Sequence, residues 1–240
     1  VKKLPGFPNL SVIDLSCGEG EIIAKLRALG CTVRGSRYKS GDYIIKEEQT
    51  DASFAIDEKV DLVKPLPYAD GQFDVVILTE VVEHLDTYSP VVREAGRILK
   101  TGGSLIVTTP NIHRLHSRWS FFFGGAHKLI NRRIGWDIGA DGLYAYHICP
   151  VDLPYLDTLL YISLLRMQEL LMTRFKFRHA VWLLFYPFFW LGGMLQFRKG
   201  KSGTLRAKGE EDLRKWMTSF PLFFSEQLFI VAKKDGAASA

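Results

Sequence analysis

The sequence predicts an α/β fold in which crossover helices connect the strands of a mostly parallel sheet. Strand and helix signals alternate over residues 1–110, the pattern that such a sheet produces. An apolar run from Val12 to Leu15 breaks into a glycine turn just before a helical pattern. With 240 residues, of which 47% are hydrophobic and 24% charged, the chain is long enough for one sizeable globular domain.

The first part of the chain is expected to contain four strands and two helices. The helix predicted over Glu21–Leu29 carries Ile22, Ile23 and Leu26 on one face and stops at Gly30. The run Asp74–Thr79 is almost wholly apolar, as in a central strand that is buried on both faces. The remaining elements predicted here are strands over Leu10–Leu15, Cys31–Gly35 and Gly103–Thr109 and a helix over Pro90–Leu99.

After Pro110 the composition changes. Residues 111–136 are basic and aromatic, and no acidic residue occurs there before Asp137. Three further features follow in order: a helix from Asp152 to about Leu164 with a strand over Leu165–Leu171, an uncharged run over Ala180–Phe197, and a closing strand over Glu226–Lys233. The stretch 36–59 is polar and gives no clear element.

The glycine turn has the form of a ligand-binding loop. Gly18 and Gly20 have no side chain to keep a ligand from the backbone, and the following helix offers unpaired N–H groups at its start. Asp14, at the end of the first strand, could face a cationic group. The dinucleotide fingerprint needs a third glycine where this chain has Ile23, so a pyrophosphate ligand is disfavoured.

Three segments together resemble the class I S-adenosylmethionine (SAM) methyltransferases of the type 11, ubiquinone-pathway-like group. Residues 12–20, Val-Ile-Asp-Leu-Ser-Cys-Gly-Glu-Gly, are similar to the first motif of that family. Residues 61–85 resemble its adenine loop, its fourth strand and the Glu-His-Leu that follows, and residues 99–111 its fifth strand. The resemblance implies a Rossmann-like sheet of seven strands with an antiparallel last strand, and SAM as the cofactor.

The resemblance also implies which residues contact SAM. Ser16 replaces the first glycine of the family motif, which is tolerated if its φ is negative. The acid that relatives carry after strand two is absent, since Ser36 and Arg37 stand there. Arg37 could indicate the 2′-phosphate of NADP, or Ser36, the backbone or Asp42 could contact the ribose, or Arg37 could be a solvated side chain with no ligand contact. The complete set of cofactor candidates is Asp14, Ser16, Cys17, Gly18, Gly20, Arg37, Asp61, Leu62, Thr79, Glu80 and His84.

Two histidines are the candidates for catalysis. Methyl transfer to a hydroxyl requires a base, and His147 and His113 are the strongest candidates among His113, His116, Tyr144, Tyr146 and His147. No metal is expected, because the three cysteines, Cys17, Cys31 and Cys149, lack the spacing of a metal site and are interpreted as reduced thiols.

The uncharged run Ala180–Phe197 allows several placements. A continuous helix over it would rise about 27 Å at about 1.5 Å per residue, less than the roughly 30 Å of a hydrocarbon core. Pro187 and the pair Gly192-Gly193 are expected to break that helix, and the closing strand must return to the sheet. The basic flanks therefore favour attachment to one membrane surface over burial against the fold or a dimer partner.

The predicted activity is transfer of the SAM methyl group to oxygen, with nitrogen and carbon as alternatives, on a small or lipid-linked acceptor. Residues 1–240 are expected to form one domain, with a lid over 111–146 and a membrane attachment over 174–220. The protein is then cytoplasmic and peripheral on the inner face of the membrane. A nucleic-acid methyltransferase is an alternative, although Thr79-Glu80-Val-Val stands where amino-methylating DNA enzymes carry Asn/Asp-Pro-Pro-Tyr/Phe. A non-catalytic scaffold of the same fold is the other alternative, and the oligomeric state is open.

Overall fold

The computed structural model describes residues 1–38, 55–127, 146–174, 177–197 and 205–236. Within these ranges the strands are β1 (Ser11–Leu15), β2 (Thr32–Ser36), β3 (Ile56–Asp57), β4 (Phe73–Thr79), β5 (Leu99–Pro110), β6 (Leu165–Leu171) and β7 (Gln227–Lys234). The helices are α1 (Glu21–Ala28), α2 (Ser89–Ile98), α3 (Leu115–Gly124), α4 (Leu153–Ile162), α5 (Tyr186–Gln196), α6 (Leu205–Met217) and α7 (Phe220–Phe224), with 3-10 helices over Val82–His84 and Phe177–Leu184.

The strands of the described residues form one seven-stranded sheet in the order β3-β2-β1-β4-β5-β7-β6. Pairs among β1 to β5 are parallel, whereas β7 runs antiparallel to both β5 and β6. The predicted fold class, including the antiparallel last strand, is confirmed. The strand order reverses direction between β1 and β4, and this reversal is where open α/β sheets bind ligands at their carboxyl edge.

Both faces of the sheet are buried. Along β1, Val12 packs on the side of α1 and Ile13 on the opposite side, as the two-residue period of a strand requires. β4 alternates in the same way, with Val75 and Val76 in different clusters. The apolar runs identified in the sequence are therefore central strands, and burial of both faces fixes the ends of β1 and β4 side by side.

The element boundaries agree with the sequence prediction except in two places. β5 begins at Leu99 instead of Gly103, because Leu99 pairs with Phe73 before a register shift. Gly102 has a φ of +80° within this irregular stretch, a conformation that glycine adopts without steric cost. The short strand β3 lies in the polar stretch that gave no prediction.

The uncharged segment forms two successive helices. The 3-10 helix Phe177–Leu184 gives way to α5, and Pro187 lies in the first turn of α5, so the predicted break at proline is confirmed. The predicted break at Gly192-Gly193 is wrong, because both glycines lie inside α5. A Cβ at Gly193 would lie 3.2 Å from Thr218 Cγ2, so glycine here permits close packing beside the end of α6. No helix among the described residues is long and apolar enough to cross a membrane.

Candidate functional site

The glycine loop joins β1 to α1 at the carboxyl edge of the sheet. Gly18 and Gly20 have φ values of +52° and +80°, and Gly20 is the residue before the first helical residue. The backbone N–H groups of Ser16 and Cys17 donate to the Ser36 carbonyl oxygen at 3.0 and 2.9 Å. A Cβ at Gly18 would meet no atom within 4 Å, so the backbone of this loop faces open space in which a ligand can lie.

The condition placed on Ser16 is not met. Its φ is +74°, in the left-handed region, where the predicted tolerance required a negative value. The family's glycine is thus replaced by a residue that pays a steric cost for the same turn. Cys17 is buried against α1, and burial raises the pKa of its thiol to about 11, so it stays protonated at neutral pH.

Several buried polar atoms at this edge have no hydrogen-bond partner among the described residues. They include Asp14 Oδ1, Ser36 Oγ, Arg37 Nε and Glu80 Oε1. Asp14 pairs in register with Gly35 of β2 and Ile77 of β4, which places its carboxylate between the ends of three strands. Because an unsatisfied buried polar atom costs about 1–3 kcal/mol, a ligand with complementary polar groups at this edge would stabilise the site.

Burial dominates the electrostatics of Asp14. The side chain is 1% exposed, and desolvation raises its pKa to about 7. A cation placed beside this carboxylate would restore the ionised form. The predicted role of Asp14 toward a positively charged ligand therefore fits the site.

The end of β2 is built without an acid, as the sequence showed. A Cβ at Gly35 would lie 2.4 Å from Ile23 Cδ1, so β2 contacts α1 through backbone. The Arg37 N–H donates to the Asp57 carbonyl oxygen at 3.0 Å. Asp42, the alternative ribose contact, lies outside the described residues.

The adenine-loop candidates make local contacts. Asp61 Oδ1 accepts from the Val63 N–H at 3.1 Å, and Asp61 Oδ2 lies 3.1 Å from Lys64 Nζ. Leu62 is buried in the core, so its side chain supports the loop from beneath. Their contact with adenine stays a prediction.

Beyond β4 the chain makes a tight turn that carries acidic and histidine side chains. Thr79 ends the strand, and Glu80 follows with a φ of +51° and its N–H donating to the Thr108 carbonyl oxygen at 2.9 Å. Glu83 is completely buried and accepts from Thr109 Oγ1 at 3.1 Å. Desolvation by burial raises the pKa of Glu83 to about 7.

His84 and His147 are brought together by this turn. The Glu83 carbonyl oxygen accepts from the N–H groups of Ile148 and Cys149 at 2.9 and 3.0 Å, which holds the segment after Tyr146 against the 3-10 helix. His84 Nδ1 lies 3.0 Å from the Tyr146 carbonyl oxygen, and the two imidazole rings are 4.8 Å apart. The sequence placed His84 near SAM and His147 near the acceptor, and the structure makes them neighbours.

Glu83, His84 and His147 each offer one potential metal-ligand atom, and these atoms all lie within 4.8 Å of one another. Carboxylate and imidazole are the ligands of many divalent-metal sites. The sequence did not predict this arrangement, because the cysteines lack the spacing of a metal site and His147 is distant from Glu83 in the sequence. The three side chains could hold a metal ion or orient an acceptor.

His113 has a structural position. Its Nε2 accepts from the Leu153 N–H at 2.9 Å at the start of α4, and Asp152 lies 3.5 Å away. Burial lowers the pKa of His113 to about 3, so the ring is neutral. With Nε2 committed to a backbone donor, this histidine is a poor proton acceptor, which leaves His147 as the stronger of the two candidates.

Comparison with known proteins supports the same family. Residues 13–107 match the family model described as a methyltransferase domain. The ubiquinone biosynthesis O-methyltransferase of Bartonella quintana is 26% identical over 125 residues, which cover 52% of this chain and 50% of that protein. The enzyme of the same name from Methylobacterium nodulans is 32% identical over 103 residues, which cover 42% of this chain and 41% of that enzyme. The chain thus spans about half the length of the curated relatives that it matches.

Solved structures show the same fold over nearly the whole chain. A SAM dependent methyltransferase from Archaeoglobus fulgidus gives a TM-score of 0.54 at 17% identity and covers 94% of this chain and 86% of its own. A SAM dependent methyltransferase from Mesorhizobium loti gives a TM-score of 0.54 at 13% identity, and the match covers 96% of this chain and 93% of that protein. Residues 13–107 are thus similar to a methyltransferase domain, and the sheet that contains them has the fold of SAM dependent methyltransferases of known structure.

Proposed function

We propose that the chain is a SAM-dependent methyltransferase that acts on a hydroxyl of a small or lipid-linked acceptor. The observation that carries the proposal is the buried, unpartnered Asp14 carboxylate beside the glycine loop, where open backbone and a desolvated acid lie at one edge of the sheet. Such a site suits a ligand that has both a nucleoside and a cationic centre. SAM is a ligand of this kind.

Each residue of the candidate site has a separate role in the proposed methyl transfer. SAM, when bound, would supply an electrophilic methyl group whose bond to sulfur breaks as the group is transferred, leaving S-adenosylhomocysteine. Asp14 would stabilise the positive end of that ligand, and the backbone at Gly18 and Gly20 would let it lie close to the sheet. His147 would accept the proton that the acceptor hydroxyl loses as the new carbon–oxygen bond forms. Glu83, which is next to His84 in sequence and close to His147 in space, would help to orient both imidazoles.

Oxygen is favoured as the acceptor atom for two reasons. The site offers imidazole and carboxyl groups that can remove a proton from a hydroxyl. An amine that is already deprotonated would not need such a base. The curated relatives quoted above are named as O-methyltransferases. Since this chain matches only part of them, the acceptor atom and its carrier remain part of the proposal.

A transfer assay tests the activity. Protein incubated with methyl-labelled SAM and a lysate separated into lipid, small-molecule and RNA fractions should label the lipid or small-molecule fraction. Gly18→Val should abolish the labelling, because its side chain would enter the space beside the loop. Gly209→Val is the matched control, since a Cβ at exposed Gly209 also meets no atom within 4 Å but lies on α6. Labelling confined to RNA, or labelling equal in both variants while they stay folded, would contradict the proposal.

We further propose that the protein rests on a membrane surface through an aromatic segment, which consists of α3 and residues 177–197. The exposed apolar side chains there include Phe122, Leu184 and Phe188, which are 77%, 80% and 74% exposed. Trp119 of α3 packs against Trp182 and Phe185, so α3 and the 177–197 segment present one surface. An exposed apolar surface of this extent is typical of an interaction site. Of the six basic residues proposed to flank it, only Arg174 has a described side chain; Lys176, Arg178, Arg198, Lys199 and Lys201 do not.

A further inference from the structure

A cavity of about 280 Å³ lies between α3, α5 and the end of α6, at a distance in sequence from every predicted SAM contact. Its wall is mostly aromatic side chains and glycine, with one cationic residue, Arg118, and one amide, Gln196. The volume is close to the lower limit, about 300 Å³, of pockets that hold small molecules. Among the described residues, no carboxylate lines this cavity.

Arg118 is an unusual residue for such a wall. Its Nε donates to the His113 carbonyl oxygen at 2.6 Å, and its guanidinium lies 4.6 Å from the centre of the Phe223 ring. These contacts fix the guanidinium, yet Nη2 is buried without a hydrogen-bond partner. No ion pair of Arg118 with a carboxylate is found in the part of the chain that the structure describes.

The charge of Arg118 persists despite this burial. Desolvation lowers its pKa to about 10, so the guanidinium remains positive at neutral pH. It also contributes to the lowered pKa of His113, which lies beside it. A fixed cation is costly to bury, and an oxyanion in the cavity beside the guanidinium would offset that cost.

We infer that this cavity binds the anionic group, carboxylate or phosphate, of an amphipathic molecule whose apolar part lies along α5. The guanidinium of Arg118 supplies the charge, and the aromatic wall supplies the surface for the apolar part. Phe188 lines the cavity and is also 74% exposed, so an apolar stem leaving the cavity would continue onto the exposed aromatic surface. The site goes beyond the proposed methyl transfer and does not require it.

The chain provides two independent ways to disable the site. Arg118→Met removes the charge and retains much of the side-chain volume. Gly192→Leu introduces bulk at the cavity wall, where a Cβ meets no atom within 4 Å, and leucine favours a helix more than glycine does. Arg118→Lys retains the charge and should restore part of the binding. Gly209→Leu, on the exposed part of α6, is the control for the glycine substitution.

Calorimetry with hexyl phosphate and hexanoate, with hexanol as the neutral probe, tests the inference for soluble ligands. Wild-type protein and Gly209→Leu should bind an anionic probe at least about tenfold more tightly than Arg118→Met and Gly192→Leu, the loss expected when one charged hydrogen bond is removed. Hexanol should show no dependence on Arg118. Flotation with phosphatidylglycerol vesicles, against phosphatidylcholine vesicles, tests a lipid headgroup as the source of the anion.

The two assays distinguish a free anionic ligand from a lipid headgroup, and they test the cavity separately from the proposed methyl transfer. Arg118-dependent binding of a soluble probe with unchanged flotation indicates a free ligand, whereas Arg118-dependent flotation indicates a headgroup. The inference is overturned if folded Arg118→Met and Gly192→Leu match the wild type in both assays. SAM binding is measured on the same samples. If SAM binds and no anion does, the cavity inference fails alone; if the anion binds and SAM does not, the methyltransferase proposal fails alone.

Discussion

Ser16 adopts a backbone conformation that favours glycine, with a φ of +74° at the first position of the glycine loop. An L-residue there costs about 1–2 kcal/mol, and glycine adds about 0.5–1 kcal/mol of unfolded-state entropy cost. Ser16→Gly should therefore raise the free energy of unfolding by about 0.5–1 kcal/mol. Urea denaturation measures the change.

The control for this substitution is Ser104→Gly. Ser104 lies inside β5 and pairs with Val75 and Lys233, so glycine there should destabilise the protein. Equal destabilisation by both substitutions would show that Ser16 is not strained. The sequence alone showed that serine replaces the family's glycine, but the sign of φ depends on how Ser36 ties the loop to β2.

We expect Asp14 to link cofactor binding to pH. Its pKa is about 7 in the folded protein and 3.8 in an unfolded chain. Between these values the folded protein holds a proton that the unfolded chain has released, so stability without ligand should fall as the pH rises across that window. A cationic ligand favours the carboxylate, and SAM binding at about pH 6 should then release about one proton.

Calorimetry in buffers of different ionisation enthalpy measures that proton. Asp14→Asn should lose the release, whereas Glu83→Gln should keep it, although Glu83 also has a pKa of about 7. Proton release that survives in Asp14→Asn, or that disappears only in Glu83→Gln, would place the titrating group elsewhere.

The helices and strands of the sheet could be predicted where the spacing of apolar residues and the position of a glycine indicate the same boundary. β1, α1, β4 and α2 begin and end within one or two residues of the sequence prediction, since apolar side chains recur there at the period of the element. The helix break predicted at Gly192 and Gly193 was wrong, because a glycine pair taken from the sequence alone usually indicates the end of a helix. In the fold, Gly193 packs beside the end of α6, where a Cβ would lie 3.2 Å from Thr218 Cγ2, so glycine fits this close contact inside a helix.

The aromatic segment defines the test of membrane attachment. Trp182 stacks on His116 at 5.5 Å and contacts Trp119, so its substitution would disturb packing. Leu184→Asn with Phe188→Ser changes only highly exposed positions. This double variant should lose flotation with anionic vesicles, and wild-type flotation should fall with salt, because apolar burial and basic flanks both contribute.

The matched control changes exposed apolar residues outside this segment. Tyr161 and Ile162 of α4 are 51% and 52% exposed, and Tyr161→Ser with Ile162→Asn should float like the wild type. SAM binding should be unchanged in both double variants. Unfolding or loss of SAM binding in Leu184→Asn with Phe188→Ser would instead indicate that this face packs against protein.

At the scale of the whole molecule, the candidate site lies where the strand order reverses between β1 and β4. The ends of β1, β2 and β4, which carry or precede Asp14, Ser36 and Glu80, are neighbours there although they are distant in sequence. The resemblance placed most of them, because the order of motifs fixes which strand ends are neighbours. The association of Glu83 and His84 with His147, and the position of Arg118 in a cavity, depend on the path of the chain after β5, for which the sequence carries no motif.

The most direct test of the account is the choice between SAM and NADP. Calorimetry should show that wild-type protein binds SAM and S-adenosylhomocysteine at micromolar concentrations and does not bind NADP. This result is expected because the glycine loop lacks the third glycine of a dinucleotide site, and because Asp14 favours a cationic centre. Tight binding of NADP with no binding of SAM would contradict the account and would assign Arg37 to a 2′-phosphate.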